Sequence, residues 1–165
     1  MSTISFRKST DSYKGTLKAL KDIEGEERQK ILDSKQIVIK INFVSTIHKL
    51  ATTPVESVKA FIEFTKNIGY SGEIIIAEMA TLGITKLGFK QYGFYKLEKT
   101  YPNVKIADLR NDDAIDVSLI DIVGSEFSVK YSKLLKEADY VVSACRAKTH
   151  DAVGITLSIK NLAVG

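Results

Sequence analysis

Eight residues of this chain carry most of its chemistry, and they fall in two places. Lys40-Ile41-Asn42 closes an apolar run, with Glu78 at the end of a second such run. Near the end of the sequence, Lys148, His150, Lys160 and Asn161 gather beside Arg146, Thr156 and several small residues. An ammonium supplies a point charge for a carboxylate or phosphate. A neutral imidazole moves protons near physiological pH. An asparagine donates and accepts at once, which orients a ligand. A lysine also serves as a base when desolvation lowers its pKa. The chemistry these types suit is recognition of a small anion with proton transfer. Lys148, His150 and Lys160 are the candidates for catalysis. Lys40, Asn42, Glu78, Thr156 and Asn161 are the candidates for ligand binding.

Each has a plainer reading. Lys40 could be a lysine snorkelling from a strand end, and Lys148 and His150 could be two exposed loop residues. Lys160 and Asn161 could be a surface pair at a helix end. Glu78 and Asp108, both at strand ends, suit acid–base partners or helix caps equally. His48 reads as an ordinary loop histidine, and Cys145, after an apolar run, as a structural thiol rather than a nucleophile. Two histidines without a cysteine or acid cluster assign no metal site. Gly83, Gly88 and Gly93 do not form a dinucleotide-binding loop, and no P-loop pattern occurs.

The elements that must position these residues follow from periodicity. Residues 36–44 alternate as a strand, with Ile37, Ile39, Ile41 and Phe43 on one face and Val38, Lys40, Asn42 and Val44 on the other. Thr53-Pro54-Val55-Glu56 has the form of a helix start, with Thr53 as N-cap and Pro54 at the first helical position. Val58, Phe61 and Ile62 continue that helix at core spacing. Residues 73–77, 104–107 and 140–144 read as further strands, and residues 86–99 as a loose helix. Residues 117–129 read as a hairpin turning near Gly124-Ser125, and residues 131–137 as a short helix. A strand at residues 4–6 and a helix over residues 13–32, interrupted at Gly25, precede them. Alternating strands and helices predict an α/β fold: a mostly parallel sheet flanked by helices, Rossmann-like in its layers, with a small β-hairpin. Ligands of such sheets bind beyond the carboxyl ends of the strands. Lys40, Asn42, Glu78, Lys148 and His150 are therefore expected on one rim.

The chain has 165 residues, 44% hydrophobic and 27% charged, with a net charge of +4, as expected of one globular domain. Its charges alternate in sign, and nothing resembles a nucleic-acid-binding tail, so nucleic acid is an unlikely partner. No run approaches the length of a bilayer span and no signal sequence leads it, which makes the cytoplasm the expected compartment. One cysteine excludes an internal disulfide and an iron–sulfur cluster held by this chain alone.

In their order and spacing, Lys40-Ile41-Asn42, the Thr52-Thr53-Pro54 helix start, Gly69, Glu78, Lys148-Thr149-His150, Gly154-Ile155-Thr156 and Lys160-Asn161 resemble the family of domain of unknown function 362. The resemblance runs from about Ile37 onward. Ile41 stands where the family commonly has proline. The resemblance implies an α/β protein often fused to, or encoded with, ferredoxin-type iron–sulfur modules, and a site built on the lysine, asparagine and histidine motifs. Family members usually continue past the lysine–asparagine pair. Residues 1–165 are thus expected to be a single α/β domain forming the amino-terminal part of a longer one. Any cluster would lie in a missing region or a ferredoxin-type partner. The expected function is binding of a small anionic metabolite, with iron–sulfur-linked redox or acid–base (racemase- or lyase-like) chemistry. The alternative is a non-catalytic binding or assembly module. Leu157, Ile159, Leu162 and Val164 are expected to leave an apolar surface through which the protein self-associates.

Overall fold

The computed structural model describes residues 3–46, 48–150 and 154–163, with the backbone alone at His150. Its centre is a parallel sheet of four strands: β1 (Gln36–Lys40), β2 (Glu73–Glu78), β3 (Val104–Asp108) and β6 (Tyr140–Ser143), in the order β3-β2-β1-β6. Ile37 pairs with Ile74 and Tyr140, and Lys40 with Ala77 and Ser143, so β1 is central and all four carboxyl ends share one edge. β1 is short of the expected 36–44: beyond Lys40 the chain leaves the ladder, keeping one isolated bridge from Phe43 to Thr52.

The two faces differ. Ile37, Ile39, Ile41, Phe43, Ile74 and Ile76 pack into the main core beneath α1 (Ser12–Asp33), α2 (Val55–Asn67), α3 (Thr85–Gln91) and α4 (Tyr95–Thr100). Val38, Ile75 and Ala77 face a smaller cluster with Leu135 of α5 (Lys133–Glu137). The strict alternation of isoleucine in β1 is what separates these faces. A hairpin, β4 (Ala114–Ile120) with β5 (Glu126–Ser132), and a second small antiparallel pair, β7 (Lys148–His150) with β8 (Gly154–Thr156), complete the strands. The last described helix is α6 (Ser158–Ala163).

Phe43 anchors the loop after β1. It is fully buried, its ring 5.3 Å from Phe89, 5.4 Å from Tyr92 and 5.5 Å from Phe94. Aromatic pairs of this kind contribute about 0.5–1.5 kcal/mol each beyond their burial. A Cβ on Gly88 would lie 2.9 Å from the Phe43 ring, so α3 needs glycine there to close on it. Gly93, at φ 85°, splits the expected helix of residues 86–99 into α3 and α4.

Three expectations are corrected. Residues 4–6 form no strand: Thr3, Ser5 and Arg7 bond to Glu26 and Asp22 of α1, while Ile4 and Phe6 face solvent. With no sheet edge in reach, alternation served a segment laid along a helix. α1 passes through Gly25 unbroken, since a mid-helix glycine costs only about 1 kcal/mol against alanine. Thr53 is not the N-cap of α2. That position belongs to Pro54, which has no side chain to cap with. The buried Thr53 hydroxyl instead accepts from Asn42 N at 2.9 Å and donates to Ala144 O at 2.5 Å. Val58, Phe61 and Ile62 are buried as expected.

Thr53 thus ties the chain leaving β1 to the chain leaving β6. Replacing it with the isosteric valine leaves the part-buried Asn42 N–H and Ala144 C=O without this partner, a loss of about 1 kcal/mol for each such group. Urea unfolding of Thr53→Val should show destabilisation of at least that size. A change smaller than that of an ordinary lost N-cap would contradict the role.

Candidate functional site

The strand order reverses at β1: β2 and β3 lie to one side and β6 to the other. At such a switch point the loops leaving neighbouring strands diverge, opening a crevice at their carboxyl ends. The polar residues of this protein collect there.

Lys40, the last residue of β1, is fully buried. Its ammonium spends all three protons: on Glu78 Oε2 at 2.5 Å, on Ile41 O at 3.1 Å and on Asn161 Oδ1 at 3.3 Å. Glu78, at the end of β2 and also buried, uses its other oxygen to accept from Phe43 N at 2.9 Å. Asn161 reaches in from α6. Its Nδ2 donates to Lys40 O at 3.2 Å and to Ser143 Oγ at 3.1 Å, so one amide spans β1 and β6. Its Oδ1 also accepts from Asn42 Nδ2 at 3.1 Å. Asn42 Oδ1 in turn accepts from Lys148 Nζ. A continuous path of hydrogen bonds therefore runs from the half-buried Lys148 to the buried pair.

The charges are unequal. Burial pushes the Glu78 carboxyl up, against the opposing pull of Lys40, the Phe43 N–H and Lys148. Burial also holds the Lys148 ammonium below the usual lysine range; Lys160 and Lys40 add to this, and Cys145 and Glu78 oppose it. Lys40 has its carboxylate at 2.5 Å, whereas among the described residues no carboxylate lies within ion-pair distance of Lys148. Lys40 and Lys148 both act on one acid that is already committed, and Lys160 acts on Lys148.

Of the residues singled out in the sequence, Lys40, Asn42, Glu78, Lys148 and Asn161 come together. Thr156 is buried and pairs with Lys148 across the β7–β8 ladder. Lys160 is half-buried on α6, close enough to influence Lys148. The His150 side chain lies outside the described residues. Asp108 takes the plainer of its two roles, accepting from Arg110 N at 3.2 Å as the cap of the turn at Leu109–Asn111. His48 is exposed in the loop after β1. Cys145 is half-buried, its Sγ 3.6 Å from Ser158 Oγ. Thr53 and Ser143 were not foreseen as parts of the site. The signal for Ser143 was slight: a hydroxyl in the strand beside Lys40.

A groove of about 400 Å³ adjoins the cluster, lined by Met79, Leu109, Leu119, Tyr131, Leu135 and Leu162 among others. Met79 follows Glu78 and Leu162 follows Asn161 in the chain. Leu157 and Ile159, 51% and 85% exposed, extend the apolar surface; Val164 lies outside the described residues.

The chain belongs to the family described as Domain of unknown function (DUF362), whose model matches residues 37–165. No curated protein and no solved structure matches it. Among the described residues no group of three or more histidine, cysteine, aspartate or glutamate residues is placed to hold a metal ion. Among them, too, no helix is long and apolar enough to cross a membrane.

Two outcomes test this account of the pair. Lys40→Met leaves the Glu78 carboxylate buried without its cation, a loss of about 3–5 kcal/mol that a second change, Glu78→Leu, should largely restore. Urea unfolding measures both, and additive losses would contradict the coupling. The raised Glu78 pKa also fixes a sign. Below the ordinary value of 4.5 the carboxyl is protonated in both states. Above it the unfolded chain ionises first, so the folded chain binds more protons and stability falls as pH rises, until folded Glu78 ionises too. Asp22, Glu27, Glu63, Glu73 and Asp116, whose carboxyl pKa values are lowered, give both proteins the opposite trend. It is therefore the stability of the wild type relative to Glu78→Gln that should decline as pH rises in a series of unfolding curves; a flat difference would contradict the raised pKa.

Proposed function

We propose that this protein binds a small organic anion in the crevice between β1 and β6 and carries out acid–base chemistry on it through Lys148. The observation that supports this most directly is the charge imbalance at the switch point. The one buried carboxylate among the described residues, Glu78, is consumed by Lys40 and the Phe43 N–H, leaving Lys148 with a neutral amide as its described partner. An incoming carboxylate or phosphate completes the balance. Lys148 and Lys160 supply donors to it, and Thr156 stands beside Lys148 on the facing strand. Asn42 holds the Lys148 amine in place. The adjoining apolar groove has room for the organic part of the ligand.

Acid–base work follows from the desolvated lysine. A lowered pKa leaves more of the free amine near neutral pH than an ordinary lysine offers, and a base works best with its pKa near the operating pH. In this reading His150, in the same strand as Lys148, is the second proton carrier. Lys40 and Glu78 do not touch the ligand; they hold Asn161 and the chain beyond β6 at the sheet edge.

An iron–sulfur cluster does not fit this chain by itself. Cys145 is its single cysteine, and thiolate-held clusters take several. In the proposed reading any cluster is a partner's, and no step of the chemistry here runs through it. The exposed Leu157 and Ile159 suit contact with such a partner or with a second copy of the chain.

Isothermal calorimetry with a panel of carboxylates and phosphates tests the anion site. Lys148→Ala should bind the best of them at least about tenfold more weakly, since a charge-assisted hydrogen bond contributes about 1.5–3 kcal/mol. Equal affinity in the two proteins would remove Lys148 from the site.

A further inference from the structure

We infer that Lys148 is an imine-forming lysine, and that the anion taken by this crevice carries an aldehyde or ketone carbon, as an oxo acid does. The inference rests on the anion-binding reading above and adds to it the class of ligand and the bond that forms.

The argument begins with two lysines whose surroundings differ. Lys40 is a fixed cation: buried, with Glu78 at 2.5 Å and its three protons all given to protein oxygens. It has no freedom to react. Lys148 stands three hydrogen bonds away, through Asn42 and Asn161, and is half-buried on the rim. A second amine, Lys160, acts on it from α6. A lysine placed beside other cations and partly removed from water is the arrangement that yields a nucleophilic amine. Here the neighbouring charge is held permanently in place by its own carboxylate.

Asn42 supplies orientation. Its side-chain amide cannot turn over, because Nδ2 donates to Asn161 Oδ1, whose own amide is fixed by Lys40 O and Ser143 Oγ. Asn42 therefore presents an acceptor, Oδ1, to Lys148. A neutral amine keeps one N–H on that oxygen, and its lone pair is directed away from the amide. A donor at the Asn42 position would instead occupy the lone pair. The arrangement thus holds a nucleophile rather than merely a charge. The other ionisable groups acting on Lys148 are Cys145 and Glu78, both of which favour its charged form.

The step balances without an oxidant or reductant. The Lys148 lone pair attacks the carbonyl carbon and forms a C–N bond, while the C=O π pair moves to oxygen, which takes a proton. The nitrogen loses a proton to give the carbinolamine. Its hydroxyl then takes a second proton from solvent and departs as water as the nitrogen lone pair closes the protonated C=N bond. Hydrolysis reverses the sequence. The carboxylate of the oxo acid meets the excess positive charge, to which Lys160 contributes, a cation acting on Lys148 and without an ion pair among the described residues.

Borohydride trapping tests this on the full chain. The protein is incubated with glyoxylate, pyruvate or 2-oxoglutarate and sodium borohydride, which delivers hydride to the C=N carbon and fixes the adduct as a secondary amine. Peptide mass spectrometry then locates it. We expect at least one oxo acid to label Lys148 about tenfold more than the average of the other lysines, because binding raises the local concentration of the carbonyl. The tightest anion of the calorimetric panel should suppress that labelling. Lys148→Arg separates charge from nucleophilicity: it should keep binding the anion within about threefold, as the positive charge remains, while selective labelling disappears. Circular dichroism of the variant confirms folding. Even labelling of all lysines by every oxo acid, with anion binding still dependent on Lys148, overturns the imine and leaves the anion site standing. Loss of Lys148-dependent anion binding as well overturns both.

Discussion

The structure depends on an ammonium and a carboxylate placed where the sheet is otherwise apolar. Lys40 and Glu78 end two adjacent central strands, and each is shielded from water. Moving such ions out of water carries a penalty of several kcal/mol apiece even after relaxation. Their mutual attraction offsets this only when the remaining protons and lone pairs are also satisfied. The satisfying groups come from two further parts of the chain: Ile41 O and Phe43 N from the loop after β1, and Asn161 from α6. The pair is therefore tolerable only with these segments in place, and that requirement sets where they dock.

This constraint explains how a short helix stays on the sheet edge. α6 exposes Ser158, Ile159 and Ala163, and its buried residue is Asn161. Six residues make a helix too short to be stable by itself. It is held by a polar plug rather than by an apolar face, the reverse of how α2 is held through Val58, Phe61 and Ile62. The chain between β6 and α6, which carries Lys148, is consequently fixed at both ends, by Ala144 N on Lys40 O at 2.8 Å and by Asn161. The amine on the rim is positioned by the pair beneath it.

Much of this was legible in the sequence. The parallel strands follow from apolar runs alternating with helices, and the placing of Lys40 from the two-residue period that sets it opposite Ile39 and Ile41. A lysine inside such a run needs a partner, and strand-end Glu78 was in reach. What could not be read was any contact set by distant chain segments. Asn161 lies 121 residues from Lys40, and nothing local distinguishes it from a surface asparagine. Thr53 carried every mark of an N-cap, yet its hydroxyl was claimed by Asn42 and Ala144, because an unbonded amide buried at the crevice costs more than an uncapped helix start. The division of a loose helical region into α3 and α4 turned on the conformation of Gly93, which composition suggests only as a weakness.

The identity of residue 161 follows from counting its bonds. Its oxygen must accept from Lys40 Nζ and Asn42 Nδ2, and its nitrogen must donate to Lys40 O and Ser143 Oγ. An amide carries two donors and a two-lone-pair acceptor, so asparagine meets all four demands and has nothing left over. An ionised aspartate of the same shape accepts but cannot donate. It would face the Lys40 carbonyl with a second acceptor, while competing with Glu78 for the same ammonium. That competition would also reduce the charge imbalance at the rim, since two acids would then meet the three lysines. A neutral residue at 161 is thus a condition for an anion site at the crevice, as well as for the packing of α6. One amide fixes Asn42, Asn42 fixes Lys148, and the orientation of the amine on the rim is inherited from a residue buried behind it.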